Sequence, residues 1–253
     1  MNEALLGQYA TRFYLPLSAL SRRWRGLSRR LRGKVNISEL PKRLPRVSWN
    51  RATGSQPFGV WEGSKSHGDV RLSELAILSA LAAECEDGTD LFEIGTFDGR
   101  TTFNLAMNSP GGCRVHTLDL PPDTATAFSI DVAERSLVQK ARSGARYERN
   151  RARHPDAVGK IRQLLGDSGT FDFSPWAGRC SLVFVDGSHT YDYLLSDTRA
   201  AMTMVRPGGV IVWHDYGVWD GVTTGLEELE ARERYGLRNV RGTSLVVWRR
   251  ASA

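Results

Sequence analysis

Three cysteines in 253 residues, Cys85, Cys113 and Cys180, are too scattered for a disulfide framework, and no two form a Cys-x-x-Cys pair. This excludes a disulfide-stapled scaffold and a thiolate metal knuckle, and it predicts a protein of the reducing cytoplasm. No run of 18 or more apolar residues occurs, so no segment is expected to span a bilayer. The N-terminus lacks the short apolar core and small-residue cleavage site of a secretory signal. Missing too are the third glycine of a dinucleotide fingerprint and the Gly-Lys-Ser/Thr ending of a phosphate-cradling loop. There is no internal repeat and no low-complexity tract.

What is present is charge, unevenly spread. Residues 1–51 carry twelve Lys/Arg against Glu3 and Glu39, whereas the remainder is mildly acidic. Leu17, Leu20, Trp24, Leu27 and Leu31 recur at helical spacing with arginines on the other faces. Three readings stay open for such a helix. It packs on its own domain or on a second copy in a homo-oligomer, it lies through 11–34 on an anionic membrane surface, or it meets nucleic acid. Residues 1–50 therefore read as a basic amphipathic extension and 51–68, rich in Gly and Pro, as a connector. Residues 69–253 read as the main domain.

From residue 69 the pattern is regular. Apolar runs at Leu91–Ile94, Val115–Leu118, Ile161–Leu165, Ser181–Val185 and Val210–Trp213 read as buried parallel strands. Helical patterns at Leu72–Ala82, Arg100–Met107, 194–205 and Val222–Arg234 alternate with them. Leu237–Val240 and Ser244–Trp248 suggest a closing hairpin. This is an α/β, Rossmann-like doubly wound, mainly parallel sheet. Residues 121–160, which include Arg142, Arg146, Arg149, Arg151 and Arg153, exceed what one crossover needs; they read as a lid or substrate wall, or as a longer helix with a solvated basic face.

In such a sheet ligands sit beyond the carboxyl ends of the strands, and the informative residues fall there. The first strand runs into Glu93-Ile94-Gly95-Thr96-Phe97-Asp98-Gly99-Arg100, with Thr101 opening the helix. Gly95 and Gly99 allow close backbone approach. Glu93 would repel a pyrophosphate but suits the cationic S-adenosyl-L-methionine (SAM). Asp119, followed by Leu120, ends the second strand as a ribose acceptor or a helix cap. Asp167 and Ser168 end the third, as adenine contacts or caps. Asp186-Gly187-Ser188-His189 and His214-Asp215 end two neighbouring strands. Asp186, His214 and Asp215 are candidate ligands for a divalent cation, with Asp186 also near the cofactor and His189 the candidate base. The alternative is a metal-free polar pocket.

EIGTFDGRTT (93–102), TLDL (117–120), GDS (166–168), VFVDGSHTYDY (183–193) and RPGGVIVWHDYG (206–217) occur in the order found in class I SAM-dependent methyltransferases. The chain most resembles the bacterial cephalosporin and macrolide-sugar O-methyltransferases over 70–248, and more distantly the catechol and caffeoyl-CoA O-methyltransferases. The resemblance implies seven strands with the last antiparallel, SAM as cofactor, a divalent cation such as Mg or Mn, and a hydroxyl acceptor on a small molecule or glycan. It departs from the distant relatives in placing His189 at their lysine base and His214-Asp215 at their Asp-Asn pair; imidazole in a ligand slot suits metals softer than magnesium. The Asn/Asp-Pro-Pro-aromatic signature of nucleic-acid amino methyltransferases is replaced by Asp-Gly-Ser-His, which argues for oxygen and against a nucleic-acid substrate. The rival functions are a nicotinamide-dependent oxidoreductase, disfavoured by Glu93 and the missing glycine, and a non-catalytic SAM-binding or membrane scaffold, motivated by the basic extension.

Overall fold

Side-chain parity along the strands decides how the sheet is covered. The computed structural model describes residues 2–17, 20, 40–64, 70–131, 134 and 142–252. In β2 (Asp90–Ile94), Leu91 faces one apolar cluster while Phe92 and Ile94 face the other. In β5 (Cys180–Val185), Leu182 and Phe184 join the first cluster and Val183 and Val185 the second. Val210 and Val212 against Ile211 and Trp213 repeat this in β6 (Val205–Trp213). Strands buried on both faces need helices on both sides, and each fully buried apolar side chain contributes about 1.5–3 kcal/mol.

Helices α3 (Leu72–Ala83) and α4 (Arg100–Asn108) cover the first face. Helices α7 (Tyr191–Met204) and α8 (Asp220–Glu233) cover the second. The shorter α1 (Glu3–Tyr9), α2 (Trp49–Ala52), α5 (Ala145–Asn150) and α6 (Pro155–Gly159) lie in the N-terminal region and the insertion.

Among the described residues the sheet has eight strands in the order β1-β7-β8-β6-β5-β2-β3-β4, one more than the resemblance implied. The addition is β1 (Arg46–Val47), parallel to β7 (Arg238–Val240). Two residues are too short to show any periodicity, so this strand has no sequence signal. β3 (Arg114–Asp119) and β4 (Ile161–Leu165) follow β2 outward on one side. β5 and β6 follow it on the other. The chain thus reverses direction between β2 and β5, which opens a crevice at their carboxyl ends. The expected hairpin is present: β7 and β8 (Val246–Arg249) pair antiparallel, as do β6 and β8.

Strand β6 begins at Val205 rather than after Pro207-Gly208-Gly209. The register against β5 shifts between Cys180 and Leu182, and that irregularity accommodates a proline with no N–H to give. Among the described residues, the insertion includes two short helices. Its Arg146 is buried, with Nε 2.7 Å from the Asp98 carboxylate and Nη1 donating to the Ser64 carbonyl at 2.8 Å. For Arg146 the solvated-face reading is therefore overturned. The helical stripe from Leu17 to Leu31 lies outside the described residues except for Leu17 and Leu20. No helix among the described residues is long and apolar enough to cross a membrane.

Candidate active site

Gly95 sits where the chain leaves β2 for the crevice. Its φ is +100°, and a Cβ there would lie 2.1 Å from the Asp186 carbonyl oxygen. Only glycine permits both the left-handed backbone and this approach of two strand tips. Phe97, at φ 51°, and Asp215, at φ 61°, are non-glycine residues in the same region of backbone space. Such conformations cost about 1–3 kcal/mol each and persist where surroundings over-determine them.

Around these tips lies a cavity of about 470 Å³. Gly95, Phe97, Asp119, Leu120, Asp167 and Ser168 line one side. Asp186, His189, His214, Asp215, Glu134 and Trp219 line the other. Two strand tips predicted from sequence to converge do so. Glu93, Thr96, Asp98, Gly99 and Thr101 are not among the lining residues. The Glu93 carboxylate is fully buried and accepts hydrogen bonds from the hydroxyls of Thr117, at 2.6 Å, and Thr102. Burial pushes its pKa up to about 8 against those bonds, so near neutral pH it is largely a neutral acid behind the loop. Thr96 shares a 2.7 Å hydrogen bond with Thr117. Asp98 accepts from the Arg100 N–H and binds Arg146, which ties the insertion to the loop. Gly99, at φ +85°, caps α4, in whose first turn Thr101 is buried.

On the β3–β4 side the acids meet neutral donors. Burial raises the pKa of Asp119, with the Ser143 hydroxyl and the backbone N–H of Phe97 pulling against it. Asp167 accepts from the Tyr193 hydroxyl at 2.6 Å and from the N–H groups of Ala127 and Gly169 at 2.6 and 3.0 Å. It therefore serves as a turn acceptor as well as a wall of the cavity.

On the β5–β6 side the acids meet imidazoles. His214 Nδ1 lies 2.9 Å from Asp186 and 3.3 Å from Asp215, while Nε2 lies 3.3 Å from Glu74. Burial opposes its charge, yet the Asp186 and Asp215 carboxylates hold its pKa well above the usual imidazole value. Glu74 is buried and accepts from the N–H of Arg71 and from the N–H and hydroxyl of Ser244. Burial alone would raise it, but His214 holds it well below the usual carboxylate range. His189 is gripped likewise. Its Nδ1 lies 2.6 Å from Glu134 and its Nε2 2.8 Å from Asp215, and its ring stacks on Trp219 at 4.8 Å. These bonds overcome burial and push its pKa up to about 10.

The candidate ligand set differs from the predicted one. Asp186, His189 and Asp215 each offer an atom within 4.8 Å of the others. His214 lies outside that group, with Nδ1 2.9 Å from Asp186 and Nε2 3.3 Å from Glu74. Two carboxylates and an imidazole suit a divalent cation of the manganese, iron or zinc type as donors. The backbone carbonyl of Ile94 and the amide of Asp186, 2.9 Å apart, fix Asp186 to the neighbouring tip.

Glu134 and Glu74 are the two site residues that sequence reasoning missed. Glu134 lies in the insertion, whose only signal was excess length. Glu74 stands at the third position of α3, where an acid reads as a capping residue.

Residues 92–216, from within β2 to just past β6, match a family model described as a methyltransferase domain. Among solved structures, the chain is similar to the O-methyltransferase NovP at 16% identity, over 72% of this chain and 81% of that one, with a TM-score of 0.55. It is similar to a Corynebacterium glutamicum protein at 15% identity, over 73% and 83%, with a TM-score of 0.52. It also matches the O-methyltransferase TomG from Streptomyces achromogenes, solved in complex with SAM, at 21% identity over 72% and 82%, with a TM-score of 0.48. The first two likenesses carry the fold. No curated protein matches.

Proposed function

Because residues 92–216 match a family model described as a methyltransferase domain, we propose that the protein moves a methyl group from S-adenosyl-L-methionine to a hydroxyl oxygen of a small molecule or glycan. One observation carries the reading: a single cavity at the strand switch point has neutral-donor acids on one wall and an imidazole–carboxylate array on the other.

The donor set fits the cofactor. Asp119 presents a half-buried carboxylate whose charge burial disfavours. Two ribose hydroxyls donating to it would relieve that cost. Phe97 and Leu120 flank it with apolar surface, and Asp167 and Ser168 offer polar edges for the adenine. Gly95 keeps the loop flush, so the sulfonium can reach the β5–β6 wall. Asp186, on that wall, supplies a carboxylate near the positive sulfur.

The chemistry is an in-line displacement. The acceptor oxygen forms a bond to the methyl carbon as the carbon–sulfur bond breaks, its electron pair leaving with S-adenosylhomocysteine and the hydroxyl proton passing to the protein. Holding the two reactants in line is the larger part of the work. His189 is the proposed proton acceptor. Both of its ring nitrogens face carboxylates, so it first yields one proton to Asp215 or Glu134, and the neutral ring then takes the proton of the acceptor hydroxyl. Trp219 keeps the ring in plane during that exchange. With His189 kept for the proton, Asp186 and Asp215 would be the carboxylates to hold a divalent cation. Bound there, it would supply Lewis-acid polarisation of the acceptor oxygen.

The test is turnover: purified protein, SAM and a panel of phenolic, sugar and polyketide hydroxyl compounds, with S-adenosylhomocysteine release as readout. Release dependent on a hydroxyl compound and absent with its deoxy analogue supports the reading. Hydride transfer from a nicotinamide cofactor with no such release would overturn it.

A further inference from the structure

Outside the cavity, the N-terminal helix carries five of the eight large apolar side chains exposed among the described residues. Leu5, Tyr9, Phe13, Leu17 and Leu20 are 53, 39, 61, 62 and 53% exposed. The first four recur every four residues along α1, the π-helical turn Ala10–Tyr14 and the residues after it. They form one outward stripe.

The other side of the same helix is already satisfied. Ala10 and Leu15 belong to the core cluster that holds Leu75 and Leu78. A Cβ on Gly7 would lie 2.8 Å from the Phe58 ring, and the Glu3 carbonyl accepts from the Val60 N–H at 3.0 Å. The helix is thus docked by one face and bare on the other, so the exposed stripe is not unfinished core.

The chain that follows is chemically one-sided. Residues 21–34 carry seven Lys/Arg and no acid, interspersed with Trp24, Leu27 and Leu31. A second copy of this chain could bury the stripe, but it would set its own seven cations of 21–34 beside these. A duplex nucleic acid would meet the cations and leave the stripe in water. An anionic lipid surface satisfies both: apolar side chains enter the acyl boundary while Lys/Arg pair with headgroups. We propose that Leu5, Tyr9, Phe13, Leu17 and Leu20 form a docking surface for a membrane, the seven cations in the sequence of residues 21–34 favouring an anionic one. The surface would bring the methyltransferase to acceptors held at that interface. The proposal stands apart from the catalytic reading, since none of these residues lines the cavity.

The experiment is co-sedimentation of the full chain with vesicles of phosphatidylcholine alone or with roughly 30% phosphatidylglycerol, at low salt and at about 0.5 M salt. Two variants accompany it: Tyr9→Ser/Phe13→Ser/Leu17→Ser, and one with the seven cations of 21–34 changed to Gln. All substituted side chains of the first are exposed or at the surface, and its melting temperature checks the fold. The expected result is at least about tenfold preference for the anionic vesicles, weakened by salt and cut at least about tenfold in each variant. Equal binding to both vesicles, no binding to either, or variants that bind like the parent would overturn the proposal. So would sedimentation showing that the triple variant converts a dimer to a monomer with vesicle binding unchanged. Salt-sensitive binding to duplex DNA without vesicle binding would overturn it as well.

Discussion

The two walls of the cavity are made by the same device, a loop leaving the carboxyl end of a parallel strand, yet they neutralise their acids in opposite ways. On the β3–β4 wall, Asp167 meets a tyrosine hydroxyl and two backbone N–H groups, and Asp119 meets a serine and backbone amides. On the β5–β6 wall, Asp186, Asp215, Glu134 and Glu74 meet two imidazoles. Neutral donors hold a shape and leave the acids able to accept from a ligand. Imidazoles also hold protons that can be handed on. The first wall is built to bind and the second to rearrange protons.

If that division is right, substitutions should separate binding from turnover. Gly95→Ala tests the seam on which both walls depend. Its Cβ would collide with the Asp186 carbonyl, and its φ of +100° suits no alanine. The strain and overpacking cost about 3–5 kcal/mol. The expected outcome is a large fall in melting temperature together with a loss of SAM binding by calorimetry. A variant that melts and binds like the parent would mean that the seam is not rigid.

His189→Ala lies next in size. It should leave the SAM dissociation constant within about threefold while lowering kcat by about 10²–10⁴, the range for losing a proton-transfer group. A fall in SAM affinity equal to the fall in kcat would erase the distinction between the walls. Dialysis against a chelator sharpens the same point: loss of kcat restored by manganese supports a cation on Asp186 and Asp215.

Much of this division was legible in the sequence, and where it was not the reasons are physical. The strands that run into the cavity were readable because burial on both faces leaves continuous apolar runs, as in Ser181–Val185. The strand tips followed from the fold rule that places ligands there. Glu93 was misread as a cavity acid because its position before Gly95 says nothing about which way a strand residue points; parity turns it toward Thr102 and Thr117. His214 reads as a candidate ligand because it stands beside Asp215, and the sequence does not show the remote Glu74 that lies 3.3 Å from its second nitrogen. Glu134 had no signal at all, since contacts across 55 residues leave no spacing to read.

Asp119→Ala should have a smaller effect, confined to binding. Losing a charged acceptor for two hydroxyls costs about 1.5–3 kcal/mol, a rise in SAM dissociation constant of roughly 10–150-fold, with saturated kcat little changed. Smaller still is Asp197→Asn, behind the cavity floor. Asp197 is fully buried, and burial, with Asp167 nearby, raises its pKa from 3.8 to about 7. An acid raised on folding weakens the fold as pH climbs from its unfolded value through its folded one. The parent should therefore lose melting temperature between about pH 4 and 7, and the amide should flatten that slope and raise the value most at the upper end. An unchanged slope would place the titration elsewhere.

The central claim is tested most directly by titrating SAM into the parent protein and into Asp119→Ala and His189→Ala in one calorimetric series. The account predicts saturable binding to the parent, binding weakened at least about tenfold by Asp119→Ala, and binding preserved in His189→Ala. No heat with the parent, or equal weakening in both variants, would contradict it.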